Sequence, residues 1–143
     1  MSSDAMAVDT VVEKLNAAVG LQYRSAIQYT VAAGSARGPQ WQANGAQLWA
    51  FAAQELDDAR RLVEKIVALG GTPDVAVAPF EHAPDPLEVI RRLIVNEEEA
   101  LAALHAVIPD TGQEPRSEAL EHRIEHLIMR KQEQVDTLIR ALG

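Results

Sequence analysis

Three carboxylates lie on helix-like segments whose other inward positions are apolar: Glu55, Asp58 and Glu97. A fourth segment puts Lys131 and Gln134 three residues apart. Carboxylates and histidines at such places, with Glu-x-x-His spacing, build a di-metal centre inside a four-helix bundle. This chain carries the frame for that chemistry. Lysine and glutamine stand where a carboxylate and an imidazole would coordinate.

The register of each stripe says which of these residues point inward. Glu97 follows Ile90 and Leu93 and precedes Leu101 and Leu104 at helical spacing, so it shares their face. A lone ionised carboxylate in a core is expensive, so Glu97 needs a proton, a cationic side chain or a metal. Glu55 lies midway between Leu48 and Leu62, and Asp58 is one turn further on. Gln22 shares a stripe with Leu15, Ala18 and Tyr29. Lys131 and Gln134 share one with Leu127 and Leu138. The expected midplane cluster is Gln22, Tyr29, Glu55, Asp58, Glu97, Lys131 and Gln134. Crowded carboxylates can also take up protons, which would lower its charge.

Each of these residues also has an ordinary reading. A carboxylate in a helical stripe is often a flank residue with its head in water. Lys131 can extend its stem to solvent. Tyr29 reads as a core side chain with a hydrogen-bonded hydroxyl. His122 and His126, four residues apart, could hold a metal at a surface, but they sit beside Glu121 and Glu125 in a solvated charged face. His82 and His105 fall outside the stripes.

Composition narrows the function classes. The 143 residues carry a net charge of −8, which argues against nucleic acid as a partner. There is no cysteine, so thiolate metal sites, cysteine nucleophiles and disulfides are excluded. Met1–Thr10 has neither the basic nor the apolar region of a signal peptide. No apolar run approaches a membrane span, and the expected location is cytoplasmic. The sequence has no glycine-rich phosphate loop and no serine nucleophile elbow.

Periodicity predicts four helices, at about 9–36, 39–69, 85–108 and 115–142, in a single domain over 1–143. Gly34–Pro39 and Gly70–Pro73 punctuate the first pair, with Pro39 suited to a first turn. Asp85 before Pro86 reads as a helix N-cap. The connection from Gly71 to Asp85 is long enough to cross the bundle, whereas the other two are short. Two antiparallel pairs joined by one crossover make an all-α bundle of the ferritin-like variety.

The residues themselves resemble that superfamily, and its bacterioferritin branch in particular. The first helix reads Gln22-Tyr23-Arg24-Ser25-Ala26-Ile27-Gln28-Tyr29, similar to the family's Glu-Leu-x-Ala-Ile-x-Gln-Tyr. The second reads Glu55-Leu56-Asp57-Asp58-Ala59, running on to Leu69-Gly70-Gly71-Thr72-Pro73. It resembles Glu-Met-x-His-Ala followed by Leu-x-Gly-x-Pro. The resemblance covers roughly residues 9–142 and implies a di-iron site. Carried over position by position, the first-helix Glu is Gln22. The second-helix Glu is kept as Glu55, and its His is Asp58. The third-helix Glu is kept as Glu97, the fourth-helix Glu is Lys131 and its His is Gln134. A lysine in place of a bridging carboxylate resembles the light-type ferritin subunits, where a salt bridge replaces the metals. The family's haem-ligating Met corresponds to Leu56, so haem is not implied.

The expected protein is therefore a ferritin-like bundle whose di-iron centre has given way to a Lys131–Glu55–Glu97 network. Its role would be structural, partner-binding or storage-accessory rather than ferroxidase, with no cofactor. The alternative is one iron or manganese ion held by Glu55, Asp58 and Glu97 with help from Gln22, supporting oxidation chemistry or iron storage. The resemblance further implies a homodimer through the faces of the first two helices, near Trp41, Trp49 and Phe51, with a higher oligomer as the alternative and core packing the equal alternative for Trp49.

Overall fold

Proline and glycine set the helix limits. The computed structural model describes residues 5–143; residues 1–4, which open the Met1–Thr10 stretch, lie outside it. Helix α1 spans Val8–Ser35 and α2 spans Pro39–Ala68. Gly38, at φ 81°, turns the chain between them, and Pro39 opens α2. Gly70, at φ 85°, stops α2. Helix α3 spans Pro86–His105 and α4 spans Ser117–Leu142. Asp85 occupies the N-cap position of α3, but its carboxylate makes no capping hydrogen bond. α3 ends at His105, where Val107 N–H donates three residues back to the Leu104 carbonyl, and a single 3-10 turn, Ile108–Asp110, follows; Pro109 has no N–H to extend the α ladder. Among the described residues there is no strand, and no helix is long and apolar enough to cross a membrane.

α1 packs along α2 and against α3, and α4 packs against α3 and approaches α2. The crossover from α2 to α3 is fastened to α1. Ala78 N–H donates to the Gly20 carbonyl at 3.1 Å, and the Asn16 side chain bridges the Thr72 carbonyl and the Asp74 N–H. Gly71 lets the strap lie flat on α1, since a Cβ there would come within 2.6 Å of Val12.

Two apolar clusters fill the two ends. One gathers Val11, Leu15, Val19, Leu62, Ile66, Leu104, Ile124 and Leu127. The other gathers Tyr29, Ala32, Leu48, Ala52, Ile90, Leu93 and Leu138. Between these two sets every helix places at least one buried polar side chain, beside small or apolar neighbours such as Ala59, Leu101 and Val135, so the bundle has a buried polar layer at its waist.

Candidate metal centre and its replacement

All four helices contribute to the waist layer. α1 supplies Gln22, Ser25 and Tyr29; α2 supplies Glu55; α3 supplies Glu97; α4 supplies Lys131 and Gln134. Each is buried. The steps of three and four along α1 and of three along α4 keep each helix's contributors on one face.

Lys131 is the hub. Its Nζ donates to Glu55 Oε1 at 2.8 Å and to Glu97 Oε1 and Oε2 at 3.0 and 3.1 Å. Glu55 also accepts from Gln134 Nε2 at 2.8 Å and from Gln22 Nε2, which reaches the Glu55 main-chain carbonyl too. Glu97 accepts from the Ser25 hydroxyl and, at 3.1 Å, from the Tyr29 hydroxyl. Tyr29 in turn meets Phe51 edge to face, with ring centroids 5.5 Å apart.

The two glutamates respond to this environment in opposite directions. Burial raises the Glu55 pKa well above the carboxylate range, the neighbouring Glu97 raises it further, and Lys131 only partly opposes them. Burial also pushes Glu97 up, but Lys131 and hydrogen bonds from Glu55 and Ser25 outweigh that and leave its pKa lowered. Burial works against the Lys131 ammonium, yet Glu55 and Glu97 more than offset it and raise its pKa. Burial and charge thus drive the two glutamates apart, Glu55 toward its neutral form and Glu97 toward its ionised one, while Lys131 is held charged between them. Tyr29 is held protonated, first by burial and then by the two glutamates, so it stays a donor.

Asp58 belongs to a different arrangement. Its carboxylate pairs with Arg130 and accepts from Gln54 Nε2 at 3.1 Å. Burial raises its pKa, and Arg130 opposes the shift. Three residues from Glu55 is about 60° around the helix, enough to turn Asp58 toward the α2–α4 edge. There a groove of about 350 Å³, lined by Phe51, Gln54, Arg130 and Gln134 among others, opens to solvent. Buried Arg24 donates to the Asn96 carbonyl at 2.9 Å and pairs with Glu99, and Asn96 donates to Gln28 at 3.1 Å.

This donor set does not fit a metal centre. An ammonium lies between Glu55 and Glu97 where a bridged cation would have to sit, and Asp58 faces Arg130. Among the described residues, no three His, Asp or Glu side chains come together in a way that could hold an ion.

Of the sequence candidates, Gln22, Tyr29, Glu55, Glu97, Lys131 and Gln134 come together, and Asp58 does not join them. Ser25, Gln54 and Arg130 went unnoticed in the sequence. Ser25 was accessible to pattern, since it lies between Gln22 and Tyr29 at steps of three and four. Arg130 carried no such signal, because only the depth of Asp58 calls for a cation there. Of the aromatic residues expected near a dimer face, Trp49 is exposed, while Trp41 and Phe51 pack against the second apolar cluster.

Comparison with known proteins places this geometry in context. The ferritin-like domain family matches residues 12–143. Among solved structures, a ferritin-like, diiron-carboxylate protein from Bacillus anthracis superposes with a TM-score of 0.89. It is 24% identical, with 100% of each chain covered. No curated protein matches the chain.

Proposed function

We propose a function from one established premise: this chain belongs to the ferritin-like domain family. Within it we assign the chain to the bacterioferritin-related branch, as a single-domain, cytoplasmic member that has exchanged di-iron chemistry for a fixed internal ion pair. Its role is that of a structural, partner-binding or storage-accessory protein, with no ferroxidase activity. The observation that carries this reading is the Lys131 ammonium, 2.8 Å from Glu55 and 3.0 Å from Glu97. The similar Bacillus anthracis protein is described as a diiron-carboxylate protein. Here the two carboxylates that would share metals share a lysine.

The network explains how such a bundle stays folded without ions. Carboxylates at the waist repel one another unless a cation separates them. Lys131 supplies that cation from within the chain, and Gln22, Ser25, Tyr29 and Gln134 satisfy the remaining oxygens. Removing one partner would leave a buried charge uncompensated, so the network persists once formed.

A homodimer through the α1 and α2 faces fits the surface. Ile27, Trp49 and Leu56 are exposed there, and Val75 and Val77 of the crossover extend the same apolar area beside Tyr23.

The combined substitution Lys131→Glu and Gln134→His restores a bridging carboxylate and an imidazole to the frame. It should confer uptake of iron or manganese that the parent lacks, measured by elemental analysis after anaerobic loading. A folded variant that takes up no metal would contradict the claim that the frame is an intact di-metal site with a lysine in it. One ion per parent chain would favour instead the mononuclear site of Glu55, Asp58 and Glu97.

A further inference from the structure

A second set of metal-ligating side chains lies outside the buried layer, on the solvent face of α4. Glu118, His122, His126 and Met129 follow one another at steps of four, four and three, which keeps them on one stripe. All four are exposed. Glu118 Oε1 lies 3.4 Å from His122 Nε2. Met129 is 52% exposed, an unusual setting for a side chain that ordinarily fills cores.

Each feature points to the same ligand chemistry. A four-residue step on a helix sets two imidazoles one above the other, so that both can grip one ion from the same side. Buried Ile124 and Leu127 anchor the backbone between and beside them, which fixes the pair's spacing at roughly 5–6 Å between Cβ atoms. The thioether of Met129 is one turn beyond His126 and adds a soft ligand that oxygen-seeking cations do not use. Glu118, Glu121 and Glu125 surround the pair and draw cations to it, against Arg123 and an Arg130 that is turned to Asp58.

We propose that His122 and His126 form a surface chelate for copper, with Met129 as a third ligand to the cuprous ion and water completing the shell. Copper stands at the top of the affinity order for such nitrogen sites, and a thioether selects its reduced form. Among the described residues no three His, Asp or Glu side chains converge on one point, so the site is an open two-imidazole chelate and not a closed cage. The segment His122-Arg123-Ile124-Glu125-His126 has the ligand order of some zinc hydrolases. Here the face is solvent-exposed, and binding without hydrolysis is what it supports. Lys131 is five residues from His126, about 140° around the helix, so the chelate and the buried layer occupy opposite faces of α4.

Competition titration with a chromophoric chelator, using cupric and cuprous ions separately, tests this. The parent chain should bind one copper. His122→Gln with His126→Gln should weaken binding by at least about tenfold, and His82→Gln with His105→Gln should leave it unchanged. Met129→Leu should weaken cuprous binding several-fold and leave cupric and zinc binding alone. All substituted positions are exposed, so matched circular dichroism will show that the fold is retained. Equal copper affinity in the parent and the His122/His126 variant would overturn the site. Unchanged cuprous affinity in Met129→Leu would remove the thioether from it.

Discussion

Two neighbouring cations on α4 meet two carboxylates three residues apart on α2, and their surroundings differ. Lys131 and Glu55 are sealed, with side chains 1% and 0% exposed. Arg130 is 25% exposed and reaches down to a buried Asp58 at the rim of an open groove. The sealed pair must balance its charge internally, with a second glutamate on the same ammonium and neutral donors on the remaining oxygens. The rim pair can draw on solvent through its arginine. Adjacent residues of one helix thus fill different roles because a rotation of 100° separates interior from edge.

Breaking the sealed pair has the largest effect. Lys131→Met should cost about 3–5 kcal/mol in urea unfolding near neutral pH, because two buried carboxyls lose their cation. The loss should shrink as pH falls, since both glutamates can then be neutral. A loss that does not change between pH 8 and pH 5 would show that the carboxyls do not answer to Lys131.

At the rim, Arg130→Met removes one partner of a half-wet pair. A smaller cost of about 1–2 kcal/mol is expected. If it equals that of Lys131→Met, the distinction between interior and edge is lost. Tyr29→Phe deletes a single donor to Glu97 and should cost roughly 1.5 kcal/mol, with little effect on the far apolar cluster around Leu15 and Ile66.

The subtlest test concerns the opposite shifts of the two glutamates. Glu55 has a raised folded pKa, so its stabilising contribution is complete below the unfolded carboxylate value and is lost as pH rises through the folded one. Glu97 has a lowered folded pKa, and its contribution is lost only as pH falls through that value. Between the unfolded carboxylate range and the raised Glu55 value, stability should therefore fall with rising pH. Asp58 adds a slope of the same sign. Glu55→Gln imitates the protonated state. It should change stability by less than about 1 kcal/mol on the acid side of neutral and flatten the slope. A steep slope retained in that variant would place the proton elsewhere.

The pattern of residues carried the architecture well, because helix stripes and glycine–proline punctuation report directly on local geometry. The four helices lie within a few residues of their expected limits. The largest departure is at the end of α3, which stops at His105 and gives way to a 3-10 turn around Pro109. Periodicity also brought Glu55, Glu97, Lys131 and Gln134 to one level, since a stripe fixes direction. It could not fix depth. Whether Asp58 faced the centre or the edge depended on how far α4 stands from α2, and that distance is set by packing. Arg130 was invisible for the same reason. The upward shift of Glu55 lay still further from view, being a property of three side chains together.

In the proposed function Lys131 stands in for metal. The most direct test of this is the iron and manganese content of the unmodified protein, purified without chelators from cells supplied with both metals. The account predicts neither metal at stoichiometric level. One or two ions per chain, lost when Glu55 and Glu97 are replaced by glutamine, would contradict it.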